Sequence, residues 1–342
     1  MVLFGEITYI RNLVDRYLKM IALITGITGQ DGQHLTALLI SKGYTVTGLV
    51  RDLQSMSVKD FITKFPSVKL YSGSLSDFES IYSVVSQVNP DEIYNLGGIS
   101  DVGESYIGPL QTADVTGLGL LRVLDSVRKL GLNQKVRIYQ ASSSEIFGFT
   151  NEWPQNETTH LNPISPYGIA KSFAHRTAQQ YRRDFGMHIT IGILYNHEGE
   201  FRRHQYVTRK ITSSIAKIKL GKLDKVALGD IEARRDWGYA GDYVSAVWKM
   251  MQAGNPSDYV IASGITHSVK DFVIEALIAA NLEPDVEKYV LFDPKYLRLS
   301  ADRNLVGDAS KAKTELGWIP ETSFTELVTL MVRNDLAIES KD

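Results

Sequence analysis

Ile21-Ala22-Leu23-Ile24-Thr25-Gly26-Ile27-Thr28-Gly29-Gln30-Asp31-Gly32 is a short apolar run followed at once by three glycines spaced three apart. Such a run forms a parallel strand buried on both faces. Gly26, Gly29 and Gly32 allow a tight bend, and with Thr28, Gln30 and Asp31 they bring backbone N–H groups close to a pyrophosphate at a helix N-terminus. The helix is expected over roughly His34 to Lys42, closing before Gly43, and Tyr44 to Val50 reads as the next strand. Strand, glycine turn, helix and strand make a βαβ unit.

Outward from this unit the alternation continues. Strands are expected at Val68 to Tyr71, Glu92 to Leu96, Val136 to Ala141 and Ile189 to Leu194, with helices near Phe78 to Val88, near Ala113 to Leu130 and from Tyr167. The fold class is therefore α/β, a doubly wound parallel (Rossmann) sheet over residues 20–196. Beyond Asn196 the chain turns to arginine-rich loops and short helices, so residues 197–342 are expected to form mainly a smaller substrate domain. Val207, Ile211, Ile215 and Ile218 recur at helical spacing ahead of Gly221, a core stripe from which the helix period sets Arg209 and Lys210 away. Tyr259-Val260-Ile261-Ala262 looks like a strand returning to the large sheet, so segments near 236–268 are expected to interleave the two domains.

The 342 residues suffice for one large or two smaller domains. A net charge of −2 leaves no electrostatic footprint for nucleic acid or an anionic membrane. The lack of cysteine excludes disulfides, thiolate catalysis and cysteine metal sites, and the seven histidines show no metal-ligand spacing, so no metal is expected. Residues 1–19 form an N-terminal extension in which Glu6, Arg11, Asp15, Arg16 and Lys19 break up the apolar positions. Neither a signal peptide nor a membrane span is expected there, and a cytoplasmic protein is. Ile10, Leu13, Val14, Tyr17 and Leu18 fit one side of an amphipathic helix, and a segment upstream of a natural start at Met20 fits equally.

The end of the second strand tells the two nicotinamide dinucleotides apart, because an acid there holds the adenine ribose whereas an arginine accepts a 2′-phosphate. Arg51 follows Val50, which favours NADP, and the adjacent Asp52 leaves NAD as the lesser alternative. Ser74 and Leu75, after the third strand, are placed to flank the adenine. Leu96, Gly97 and Ser100, after the fourth, lie on the path beside the nicotinamide, where Gly97 and Gly98 permit close approach.

Ser165 and Pro166 cap and open a helix in which Tyr167 and Lys171 share a face. A tyrosine titrates near pH 10, so a phenolate base at pH 7 needs roughly 4 kcal/mol of help. An ammonium about 4 Å away at an effective dielectric of ~20 supplies about that much. By themselves these residues fit a surface helix pair as well. Ser143 and Glu145 follow the fifth strand, and an extended backbone with a spacing of two puts both on one face at the sheet's carboxyl end, where such folds bind ligands.

With these residues in place, the chain resembles the extended short-chain dehydrogenases/reductases, and within them most closely the GDP-mannose 4,6-dehydratase family. The resemblance is carried by ALITGITGQDG (22–32), YNL (94–96), YQASSSEIFG (139–148), SPYGIAK (165–171), NHE (196–198), VTRKI (207–211), LGDIEARRDWGYAGDYV (228–244), DYVIASG (258–264) and LVGDASKAKTELGW (305–318). It implies a lyase in which Tyr167 takes the proton of the hexose 4-hydroxyl, Lys171 holds the cofactor ribose and lowers the tyrosine pKa, and Ser143 hydrogen-bonds the 4-hydroxyl. Glu145 would remove the C5 proton, with water lost from C6 and hydride returned there by the retained NADPH. The resemblance also implies cofactor contacts at His197 and Arg202 and substrate contacts at Ser100, Glu145 and Asn196. Arginine and lysine suit a nucleotide diphosphate, and Arg209, Lys210, Arg235 and Arg298, with Arg202, are the candidates for it. A homodimer or homotetramer is implied as well.

Three segments depart from the family pattern. Asn95-Leu96-Gly97-Gly98-Ile99-Ser100-Asp101-Val102 stands for NLAAQSHV, Gly199-Glu200-Phe201-Arg202-Arg203 for SPRRG, and Arg298-Leu299-Ser300-Ala301-Asp302-Arg303 for an R-P-T-E-V-D-like stretch. These substrate-facing changes make a relative such as GDP-manno-heptose a second candidate substrate. An NADPH-dependent reductase or epimerase of a 4-keto nucleotide sugar, and a non-catalytic dinucleotide-binding sensor, are the alternative functions.

Overall fold

The computed structural model describes residues 20–296 and 305–341. The N-terminal extension, Arg298 and Ala301 lie outside the described residues. β1 (Ile21–Thr25), α1 (Gln30–Ser41) and β2 (Thr45–Val50) make the first βαβ unit. The chain continues through α2 (Met56–Lys64), β3 (Lys69–Ser72), α3 (Phe78–Val88), β4 (Glu92–Asn95), α4 (Val102–Ile107) and α5 (Pro109–Thr112). A π-helical stretch, Ala113–Leu118, runs into α6 (Gly119–Lys129) and then β5 (Arg137–Ser143). After a 3-10 turn at Ser144–Ile146 come α7 (Pro166–Phe185), β6 (Ile189–Leu194), β7 (Asn196–Glu198), α8 (Val207–Lys219), β8 (Val226–Leu228) and β9 (Arg234–Tyr239). The last part holds α9 (Ala240–Gln252), β10 (Asp258–Ile261), β11 (Thr266–Ser268), α10 (Val269–Ala279), α11 (Val286–Tyr289), β12 (Val290–Phe292), α12 (Ser310–Leu316) and α13 (Phe324–Glu339).

Seven parallel strands form the large sheet in the order β3-β2-β1-β4-β5-β6-β10. Successive residues of a strand point to opposite faces, so Ala22 and Ile24 enter one core with Leu35 and Leu39 of α1 and Val247 and Met250 of α9. Leu23 enters the other, with Val84 of α3, Val123 of α6 and Ala178 of α7. Both faces are covered, the doubly wound arrangement. The strand order reverses between β1 and β4, and the crevice at the carboxyl ends there is where such sheets take ligands.

The chain crosses between its halves more than once. β10 pairs with β6, with Ile261 opposite Leu194, and α9 packs against α1. Ala312 and Trp318 also lie in the first core, so the return extends beyond the segment read from the sequence. A separate core, with Ile211, Ile215, Trp237, Phe272 and Leu327, joins α8, α10 and α13. No described helix is long and apolar enough to cross a membrane.

Candidate active site

Two turns meet at the mouth of the crevice. Gly26 has φ +71°, and a Cβ on it would stand 2.8 Å from Gly97 N, so the turn after β1 lies directly on the turn after β4. Gly29 is the N-cap of α1 and offers no side-chain cap, so the first N–H groups of that helix remain donors for an anion. Gln30 beside them has a buried side-chain oxygen without a hydrogen-bond partner among the described residues, an acceptor suited to a hydroxyl or amide of a ligand, whereas the anion falls to the N–H groups. The donor set therefore fits a dinucleotide pyrophosphate.

Asp31, in the first turn of α1, receives His197 Nε2 at 2.9 Å, and His197 Nδ1 lies 2.7 Å from the Tyr195 carbonyl. Burial works against both charges, but their mutual attraction prevails: Asp31 is held well below the carboxylate range and His197 above its ordinary value. Gln30 Nε2 donates to the His197 carbonyl at 2.9 Å, and Arg202 Nε stands 2.9 Å from Glu198. Thus Gln30, Asp31, His197 and Arg202 form one cluster at the α1 terminus.

Past β2, Arg51 is exposed, with no hydrogen bond or ion pair among the described residues, whereas Asp52 turns its carboxylate to the Gln54 N–H at 2.8 Å. Leu75 is buried in the second core, so what it offers a ligand is backbone, not side chain. Its carbonyl accepts Arg122 Nη1 at 2.8 Å, and Arg122 also binds Asp114, tying the loop that carries Ser74 to the π-helical stretch. Leu96 is half-buried against the first core, with Gly97 next to it, and Ser100 stands exposed farther along the loop.

The candidate reacting groups gather where β5 ends. Ser165 Oγ caps α7 by accepting the Gly168 N–H at 3.0 Å, and Pro166 occupies the first turn. A Cβ on Gly168 would lie 2.6 Å from Glu145 O, so only glycine lets α7 dock this closely on the 3-10 turn. That turn corrects one expectation: the extended backbone stops at Ser143, and Glu145 belongs to a helical turn whose N–H is given to Ser143 Oγ at 3.3 Å. The two side chains are brought together by the turn, not by strand alternation.

Tyr167, 8 % exposed, is pushed above the ordinary phenol value by burial and by the charges of Glu145 and Tyr206, against a hydrogen bond with Ser143. Lys171 is drawn down to about 8 by burial, against the attraction of Asp31. Its ammonium lies 5.7 Å from the Tyr167 ring centre and donates to the Ala141 carbonyl at 2.8 Å. The expected lowering of the phenol by Lys171 is not found: desolvation and the neighbouring carboxylate raise it, and the groups acting downward are Ser143 and Arg202.

The basic residues divide. Arg209 is corrected outright: it is 4 % exposed, on the side of α8 that packs against α13, and its guanidinium pairs with Asp335 at 2.6 Å and bonds the Glu200 and Arg202 carbonyls. It braces the scaffold and does not face a diphosphate. Lys210 sits over the Tyr296 ring at 3.2 Å with no hydrogen bond to its ammonium among the described residues. Arg235, on β9, donates to the Arg234 carbonyl at 2.6 Å, and Asn196 opens β7, opposite Trp237. Phe201 packs between His34 of α1 and Lys64 of α2, so its departure falls on the nucleotide-binding half.

One site residue had no sequence signal. Tyr206, the residue before α8, bonds Ser100 through its hydroxyl at 2.8 Å, stacks under Arg202 at 3.6 Å and lies near Tyr167. A lone tyrosine ahead of VTRKI carries no spacing that marks it.

Residues 23–331 match the protein-family model described as GDP-mannose 4,6 dehydratase. The chain is 44% identical over 342 residues to the GDP-mannose 4,6 dehydratase of Dictyostelium discoideum, covering 93% of this chain and 96% of that one. It is 43% identical over 336 residues to GDP-mannose 4,6 dehydratase 1 of Arabidopsis thaliana, covering 95% and 92%. Among solved structures it resembles UDP-glucose 4-epimerase from Thermotoga maritima with UDP-glucose, at a TM-score of 0.82 and 25% identity over 94% of this chain and 100% of that one.

Proposed function

The chain belongs to the GDP-mannose 4,6-dehydratase family, and from that membership and the geometry of its site we propose that it removes water from GDP-mannose to give the GDP-linked 4-keto-6-deoxy hexose. The observation that carries this is the convergence of Ser143, Glu145, Tyr167 and Lys171 at the carboxyl end of β5.

Tyr167 is the base for the 4-hydroxyl proton, and Ser143, already its hydrogen-bond partner, holds the same oxygen. Lys171, at about 8, still carries its charge at pH 7 and lends it to the phenolate and the cofactor ribose. A bound nicotinamide dinucleotide supplies the hydride acceptor for C4 and the donor for C6, so no net oxidation results. The 4-ketone acidifies the C5 proton, which Glu145 removes and passes to the C6 hydroxyl, so that it leaves as water; once hydride has reached C6, a proton from solvent returns to C5, and the one taken by Tyr167 is released to solvent.

The dinucleotide is NADP in this reading: Arg51 is free for a 2′-phosphate, and Asp52 is occupied with Gln54. Lys210, Arg235 and Asn196 are the residues for the nucleotide sugar, with Ser100 on the wall. A homodimer or homotetramer would form through the exposed apolar faces of α4, α5 and α7, where Ile107 and Leu110 are 88% and 86% exposed; sedimentation velocity reads this directly.

Incubation with GDP-mannose in deuterium oxide tests the reaction. A 4-keto-6-deoxy product carrying deuterium at C5, formed without net NADPH consumption, is expected. No product from GDP-mannose or GDP-manno-heptose overturns the reading, and stoichiometric NADPH use replaces it with a reductase.

A further inference from the structure

Parallel central strands are ordinarily apolar along their length, yet three polar residues stand side by side in this sheet. Thr25 and Asn95 are the last residues of β1 and β4, Gln140 lies midway along β5, and the three are register partners, all buried. Thr25 Oγ1 donates to Asn95 Oδ1 at 2.7 Å, and Asn95 Nδ2 donates to Gln140 Oε1 at 2.7 Å. Gln140 Nε2 then donates to the Ala141 carbonyl at 2.8 Å, the same oxygen that receives Lys171 Nζ.

The ladder explains why that oxygen is open to side chains. Arg137 gives its N–H to Asp91 on the β4 side, and Ile138 gives its own to His188 on the β6 side. A parallel strand alternates in this way, so Ala141 faces β4. But β4 has ended at Asn95; the Leu96 N–H turns back to Tyr94, and the Gly97 N–H goes to Thr25 Oγ1 at 3.0 Å. The Ala141 carbonyl therefore lies past the last rung, and its two lone pairs fall to Gln140 and Lys171.

We propose that Gln140, held in orientation by Asn95 and Thr25, is a positioning residue that fixes the Ala141 carbonyl as the anchor of Lys171. The donors run in one direction from Thr25 at the end of β1 to the Ala141 carbonyl, and the ammonium that serves the cofactor ribose and Tyr167 donates into that oxygen from the other side. This rests on the role of Lys171 proposed above. Without the Gln140 amide the carbonyl loses one of its two fixed donors, and the lysine loses its registration against the tyrosine.

The test is a cycle of wild type, Gln140→Met, Lys171→Met and the double variant, read by NADPH fluorescence titration and by the pH dependence of GDP-mannose turnover. Gln140→Met should weaken NADPH about fivefold in the wild-type background and less than about twofold once Lys171 is Met, since coupled residues are non-additive. It should also move the acid limb of kcat to higher pH while the KM for GDP-mannose stays within about twofold. An equal factor in both backgrounds, or an unchanged NADPH Kd with an unmoved limb, overturns the proposal. Thr25→Val cuts the same chain at its far end and stands in, with the same expected pattern, if Gln140→Met does not fold. A wild type that binds NADPH but turns over no GDP-sugar sinks the proposed function, and the binding cycle still decides the role of Gln140.

Discussion

Tyr167→Phe removes one oxygen and leaves the ring packed against α7's neighbours, so it isolates the proton transfer from the fold. A positioned acid or base is worth ~10²–10⁴ in rate, and a kcat loss of that size with KM within a few-fold is expected from product assays. A second consequence lies in His197, both of whose ring nitrogens face acceptors, Asp31 and the Tyr195 carbonyl. Only the imidazolium donates to both. Because the folded pKa of His197 is raised, its contribution to stability is complete below about pH 6.5 and is lost as the pH rises through the folded value. Asp31 is depressed, so its contribution is complete above about pH 4 and is lost as the pH falls through its folded value. The gap in urea stability between wild type and His197→Gln should therefore be widest near pH 5 to 6 and narrow toward pH 9. A gap that is flat across that range would mean the imidazole is neutral.

α8 and α13 are joined by a bond that no single-helix pattern reveals. Arg209 and Asp335 are 126 positions apart, and Thr212 Oγ1 adds a second hydrogen bond to the same carboxylate at 2.5 Å. Removing one partner of a buried ion pair leaves an uncompensated charge, so Asp335→Ala should lower unfolding stability by ~3–5 kcal/mol in urea titration. A double replacement by apolar residues should cost much less. The stripe at Val207, Ile211 and Ile215 was legible because it repeats every turn, but the period says only which face meets the first neighbour. It cannot say that a second helix covers the opposite face, which is why Arg209 reads as solvent-facing. The same limit applies after β5. Ser143 and Glu145 could be placed at the carboxyl end of the sheet from the order of strands, while the 3-10 turn that joins them depends on α7 docking through Gly168. β1, the glycine turn and the start of α7 were legible, because strand burial, glycine φ and a Ser-Pro cap are local properties, although α1 starts at Gln30, ahead of the expected His34, and takes in Gly32. Thr25, Asn95 and Gln140 were not read together, because only the register of the folded strands puts them on one rung.

The crevice draws on widely separated parts of the chain: the α1 terminus, the end of β2, the turn after β4, the end of β5 and the first turn of α7. A dinucleotide lying along it would contact elements on both sides of the point where strand order reverses, and binding only to the folded form stabilises by ~2.7 kcal/mol at a hundred times Kd. The two halves are interleaved through α9, β10 and α12, so this gain should register as a rise in the melting temperature of the whole chain and not of one lobe. In the proposed reading Arg51 decides which dinucleotide produces it. Its guanidinium is uncommitted among the described residues, and a 2′-phosphate offers it a bidentate partner that a ribose hydroxyl does not. At equal concentrations NADP should raise the melting temperature more than NAD, and Arg51→Ala should erase the difference while leaving the smaller NAD shift intact. Equal shifts in the wild type would instead mean that Asp52 gives up the Gln54 N–H to hold the ribose, and the preference read from the end of β2 would reverse.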